Sequence, residues 1–351
     1  MTGCSEVFQP DIENVDSFLS IEGSITTQPG EHIVWVAYSR SYNEWPYFTG
    51  VTGAEVNVKD GNGNKIHYDH AGNGKYIANI TADNAAKVGS TYYLEVETEN
   101  GAVFRSTPQL VVPSPEVKRL SCKFERRILL TENTYGDVLE RKFPVMVLDI
   151  ETNGILPSDN YYLYGYEAYL QCHNYFKTEL GLLETYHHLQ LSSYYSSNIH
   201  TVNADEFNDF QVRNDELMYI NLNDLRDYDP YNPYGLVLSF KIFEGLLIKL
   251  SQYSLSADAY IFYRDAEKQL EAEGRLFDPS YTQLVGNITC DSEPEEKVKG
   301  IFYAADVSNY YAYMYIGEGN RAYSLEIDSF PELFLLTDVW QMPEDWIRPP
   351  F

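Results

Sequence analysis

The chain has 351 residues, and at roughly 150 residues per domain it has room for about two cores, which excludes peptide-scale and disulfide-knot folds. It carries 52 Asp and Glu against 25 Lys and Arg, a formal net charge of −27, and no single stretch gathers enough cations to make a basic face, so nucleic acid is not an expected partner. Hydrophobic residues are 44% and aromatics 15%, so an acidic chain can still bury a core, and no run of about 18 apolar residues offers a spanning helix.

Taken in chain order, Met1-Thr2-Gly3-Cys4 resembles the end of a bacterial lipoprotein signal, where small residues lead to a cysteine that is acylated. Cys4 is the expected anchor, and residues 1–17, with acids at Glu6, Asp11, Glu13 and Asp16, read as a polar tether that lets a folded body stand off a membrane. A chance Gly-Cys is the alternative.

From residue 18 to 112 short alternating segments are broken by turn residues. Phe18–Ile25, His32–Tyr38 and Ala54–Lys59 alternate as half-buried antiparallel strands do. Asp60-Gly61-Asn62-Gly63-Asn64 suits a tight hairpin, because Gly and Asn accept positive φ; as a calcium loop it fails, with Lys65 where Gly is needed and Ala71 where a bidentate Glu is needed. About seven strands in under 100 residues predict an immunoglobulin-like β-sandwich. Val112-Pro113-Ser114-Pro115 reads as a linker.

A larger antiparallel β domain, rich in tyrosine, is expected over 116–351. Tyr162, Tyr164 and Tyr166 share one strand face, and Tyr311, Tyr313 and Tyr315 form a second ladder. Such ladders serve as stacking platforms or, more commonly, as cross-strand pairs that stiffen a sheet. One amphipathic helix is predicted over 257–273, capped by Ser256 and closed by Gly274, with Tyr263, Ala266 and Leu270 as its apolar stripe. The stretch from about Asn203 to Tyr234 reads as a long loop ending Asp227-Tyr228-Asp229-Pro230-Tyr231-Asn232-Pro233-Tyr234. Long loops on a β scaffold tend to carry binding residues, so Asp227, Tyr228, Asp229, Tyr231 and Tyr234 are the expected ligand contacts.

Nothing points to catalysis: there is no G-x-S-x-G, no H-E-x-x-H, no phosphate loop and no Cys beside a His in a recognisable nucleophile context. The chain is therefore not expected to be an enzyme, and no cofactor is expected. His173, His187, His188 and His200 cluster in sequence, but adjacent His187 and His188 point to opposite faces of a strand. The carboxylates Asp224, Asp227 and Asp229 offer hard oxygens for Ca²⁺, against the default of a solvated acidic surface. Cys122, Cys172 and Cys290 allow one disulfide, and spacing does not choose the pair.

Several segments follow in the order seen in a family of Bacteroidota surface lipoproteins catalogued as domain of unknown function 4249. These are Gln252–Ser256, Ala259-Tyr260, Gly274–Pro279, Gly286-Asn287-Ile288-Thr289-Cys290 and Val298–Phe302, and in the first half Val51–Val56, Asp60-Gly61, Gly74–Tyr76 and Gly89–Val96. The chain resembles that family over nearly its whole length. The resemblance implies lipidation at Cys4, an outer-membrane location facing the cell exterior, and a role as accessory or ligand-binding partner of a TonB-dependent transporter in nutrient uptake. Ser5 and Glu6 are compatible with a surface-export signal. The alternatives are a structural subunit of an outer-membrane assembly without a small ligand and, last, a surface hydrolase. Many members resemble one another in a cysteine-containing tail; the tail Pro343–Phe351 has none, so Cys290 is expected to pair with Cys122 or Cys172 or to stay reduced.

Overall fold

The structure, a computed structural model, describes residues 17–40, 46–132, 138–152, 161–178, 181–190, 200–203, 212–221, 239–271, 284–293, 296–316, 322–333, 335 and 342–347. Among these residues it is mainly β, with several antiparallel sheets and one helix. The first nine strands are β1 (Leu19–Thr26), β2 (Gly30–Ser39), β3 (Phe48–Gly50), β4 (Glu55–Asp60), β5 (Lys65–Gly72), β6 (Lys75–Ile80), β7 (Thr91–Glu97), β8 (Val103–Ser106) and β9 (Gln109–Leu110). Longer strands follow: β10 (Val117–Glu132), β11 (Val138–Thr152), β12 (Tyr161–Thr178), β13 (Gly181–Gln190), β14 (His200–Asn203), β15 (Val212–Asn221) and β16 (Ser239–Leu255). Helix α1 (Ala257–Glu271) precedes β17 (Ile288–Cys290), β18 (Val298–Ala305), β19 (Val307–Ile316) and β20 (Ala322–Glu326).

The chain divides into two units, one of Met1–Val111 with Gln283–Ala305, the other of Val112–Thr282 with Asp306–Phe351. The expected second domain ran unbroken from 116 to 351, and here the structure differs. Residues 283–305 return to the first unit because Ile288, Cys290, Phe302 and Ala304 are buried in its core. Strand β18 lies parallel to β1, Leu19 opposite Val298 and Thr26 opposite Ala305. Among the described residues this long-range pairing is parallel while the other strand pairings are antiparallel.

In the first unit the two-residue alternation of the sequence becomes the core. Ile21, Val34, Val36, Val56, Val58, Leu94, Val96 and Phe104 are wholly buried, while their neighbours along the strands, apart from the buried Asn57, are partly or fully exposed. Strand β5 joins two hydrogen-bonded groups: Lys65–Tyr68 pair with β4, which continues through β7 and β8 to β17, and Asp69–Gly72 pair with β6, which continues through β2 and β1 to β18. The β4–β5 turn is a hairpin whose one acid serves the turn itself. Asp60 Oδ1 accepts from the Asn62 and Asn64 amides at 2.9 and 2.8 Å, Oδ2 accepts from Asn64 Nδ2 at 2.7 Å, and Gly63 takes φ +87°.

The second unit holds two sheets. One has the order β10-β11-β15; the other runs β13-β12-β16-β19-β20, with β14 beside β12. Even-numbered residues 162–172 of β12 and 246–254 of β16, with their partners on β19, face inward. Tyr162, Tyr164, Leu170, Cys172, Leu246, Ile248, Leu250, Ala312 and Met314 pack there against Leu120, Met146, Leu148 and Ile150. Helix α1 is capped by Ser256, whose Oγ accepts from the Ala259 amide at 3.3 Å. It buries Ala259, Tyr260 and Tyr263, and Tyr260 stacks on Tyr161 with ring centres 4.5 Å apart.

Candidate functional site

Cys4 and the loop residues Asp227, Tyr228, Asp229, Tyr231 and Tyr234 lie outside the described residues, as do Asp224 and Gly274. The tyrosine ladders lie within them. Tyr164 is fully buried and donates to Gln252 Oε1 at 2.7 Å, and burial beside Tyr162 holds its hydroxyl well above the ordinary phenol range. Gln252 in turn donates to Ser114 Oγ and to the Pro115 carbonyl, at 3.0 and 2.8 Å. The first ladder is thus the inner wall of the second unit, not a platform open to solvent.

The opposite face of the same sheet gathers chemistry that the sequence scattered. Tyr169, Gln171 and His173 on β12 stand beside Glu184, Tyr186 and His188 on β13, brought level by the pairings Gln171 with His188 and His173 with Tyr186. His173 stacks on Tyr186 at 4.3 Å, and Tyr186 meets Trp346 edge-on at 5.0 Å. Trp346 also lies 5.1 Å from the His188 ring. The Tyr186 hydroxyl donates to Glu184 Oε2 at 2.9 Å, and His173 Nε2 lies 3.4 Å from the same oxygen.

Residues 342–347 form a strap over this cluster. Gln171 Nε2 donates to the Ile347 carbonyl at 2.6 Å, the Trp346 amide to the Pro343 carbonyl at 3.2 Å, and the Glu332 amide to Asp345 Oδ2 at 2.6 Å. Gln171 Oε1 is buried with no hydrogen bond among the described residues. Under the strap His188 is 1% exposed, and burial drives its pKa down to about 4, opposed by the Asp345 carboxylate. Sequence reading named His173 and His188 as metal candidates and missed Trp346 and Asp345; the one available signal was a lone Trp in a Pro-rich tail. Among the described residues no group of three or more His, Cys, Asp or Glu is arranged to hold a metal ion.

The pairing of β10 with β11 brings together cations that no single stretch gathers. Seven of the 25 Lys and Arg lie in these two strands, against five of the 52 Asp and Glu. Lys123–Arg127 and Arg141-Lys142 are separate in sequence, but the register sets Ile128 opposite Lys142 and Leu129 opposite Arg141. Arg126, Arg141 and Lys142 are exposed, as are Ile128 at 57% and Leu139 at 36%. Of the neighbouring cations, Arg127 is joined to Glu125.

In the first unit Trp35 and Phe48 are about half exposed and stand on one outer face, since Trp35 shares its face with Ser39 and Ser39 pairs with Phe48. Among the described residues the cysteines Cys122, Cys172 and Cys290 form no disulfide. Burial, with the Asp149 carboxylate adding to it, pushes the Cys122 thiol up to about 12. No described helix is long and apolar enough to cross a membrane.

A family model described as Domain of unknown function (DUF4249) matches residues 5–310, which spans most of both units. No curated protein and no solved structure matches the chain.

Proposed function

The chain belongs to the family defined by that domain of unknown function, and from this membership we propose that it is a surface lipoprotein, anchored through Cys4 in an outer membrane. In this reading it serves as an accessory or ligand-binding partner of a TonB-dependent transporter in nutrient uptake. The family match over residues 5–310, which covers most of both units, is the observation that carries the reading. A polar, acidic segment between Cys4 and the first strand supports a tether. The ligand contacts in this proposal are Asp227, Tyr228, Asp229, Tyr231 and Tyr234, whose alternating acids and aromatics suit a polar ligand with flat apolar faces. The role is binding, without catalysis.

The outward aromatic pair Trp35 and Phe48 favours a second reading, a structural subunit whose first unit docks on another protein and which takes no small ligand. Purification of the lipidated protein from its native membrane in mild detergent, with mass spectrometry of what accompanies it, tests both. A transporter barrel whose association responds to nutrient supports the first reading. A stable complex indifferent to nutrient supports the second, and a protein that purifies alone sinks both.

A further inference from the structure

We infer that the outer part of the β10–β11 ribbon is a membrane-contact element that rests on an anionic phospholipid headgroup layer. Three observations carry this. The ribbon reverses the sign of the molecule locally: within a chain of net charge −27 its two strands hold more cations than anions. The cations come with exposed aliphatic side chains, Ile128 and Leu139, a combination that suits the boundary between phosphates and acyl chains. Both ribbon faces carry the pattern, Arg126, Ile128 and Lys142, beside the exposed Glu140, on one and Leu139 with Arg141 on the other. A protein partner would dress one face; a headgroup layer surrounds a ribbon that dips into it.

The charge of the whole chain opposes approach to an anionic surface, but only at long range. At physiological salt the Debye length is about 8 Å, so acids farther than that from the lipid are largely screened while the ribbon cations act at contact. Each such cation is worth roughly a factor of five in binding. The inference does not depend on the transporter reading, and its test needs no transporter.

The experiment uses the full chain with Cys4→Ser, so that no acyl group contributes, in co-sedimentation with phosphatidylcholine vesicles with and without phosphatidylglycerol. Binding is expected to the anionic vesicles alone and to weaken as salt rises. Arg126→Gln/Arg141→Gln/Lys142→Gln should reduce it roughly a hundred-fold, and Ile128→Ser/Leu139→Ser should also weaken it, both with unchanged circular dichroism. No binding, equal binding to both vesicle types, or binding that survives both variants overturns the inference. Sedimentation velocity covers a remaining occupant: a dimer dispersed by the Gln variant assigns the ribbon to a second copy of the chain and also overturns it.

Discussion

The side-chain amide of Asn287 closes on the backbone of Phe302 with two hydrogen bonds, Nδ2 donating to the Phe302 carbonyl at 2.8 Å and Oδ1 accepting from its amide at 2.9 Å. All of these groups are buried. One side chain thereby does for strand β18 what a neighbouring strand would do, on the side away from β1. Asn287→Ala should cost about 2 to 4 kcal/mol, since it strands a buried donor and a buried acceptor. The midpoint of urea denaturation, followed by tyrosine fluorescence, checks this; a midpoint equal to that of the parent chain refutes it.

Next to that clamp the backbones approach closely. Gly300 has φ +118°, and a Cβ there would stand 1.8 Å from the Ile21 carbonyl oxygen, in β1. Gly300→Ala combines a backbone conformation that favours glycine with a clash against main chain that cannot swing aside. The expected cost is about 3 kcal/mol or more. Thermal denaturation should show a clear drop, or no soluble protein at all; an unshifted transition would count against the close approach.

His188 gives the fold an acid sensitivity of definite sign. Its folded pKa is about 4 and its ordinary value 6.5, so between these the unfolded chain binds the proton that the folded chain refuses. Its contribution is whole above about pH 6.5, falls through the window and is gone below about 4, with a total of about 3 kcal/mol at most. Denaturation midpoints across pH 4 to 6.5 should fall less steeply in His188→Gln than in the parent chain. Parallel curves would remove His188 from the account.

Glu95 sits between Lys59 at 2.6 Å and Arg105 at 2.8 Å, tying β7 to β4 and to β8, and Arg105 also meets Asp291 beyond β17. Hydrogen bonding from Lys59, ahead of that from Arg105, holds its carboxyl below the usual range. The partners are partly exposed, so Glu95→Gln should cost only about 1 kcal/mol at low salt and less at high salt. Equilibrium unfolding at two ionic strengths reads the difference; a salt-independent loss would mean packing, not charge.

Cys122, Cys172 and Cys290 should resist a thiol reagent in the folded protein carrying Cys4→Ser and react once it is unfolded. Cys172 and Cys290 are buried, and a thiol pushed to about 12 presents almost no thiolate at neutral pH. Rapid labelling of any of the three in the native state contradicts this, and so does a mass showing two of them already joined.

Local features were legible in the sequence. Alternation around Val34 and Val36 placed inward faces, the Asp60–Asn64 glycines and asparagines gave a hairpin, and Ser256 before an apolar stripe gave the helix. These depend on neighbours a few residues apart. What the sequence concealed depends on partners far apart along the chain. Val298 reads as a strand residue, but nothing near it names Leu19 as its opposite. Arg126 and Lys142 lie far apart in sequence until the β10–β11 register brings them to one face, Lys142 opposite Ile128 and Arg126 opposite Pro144. The burial of His188 was hidden because its cover, Trp346, lies far along the chain. The expected ligand loop and Cys4 lie outside the described residues, so the sequence alone carries that part of the site.

The parallel pairing of β1 with β18 also sets an order of events in time. A chain delivered from its N-terminus exposes Leu19 early and Val298 late, and at ribosomal rates of about 5 to 20 residues per second the gap is roughly 15 s to a minute. Throughout that interval the outer edge of β1 is an open strand with unsatisfied amides and carbonyls, the kind of surface that recruits a chaperone or a wrong partner. Completion of the first unit therefore waits on a strand that is made long after its partner.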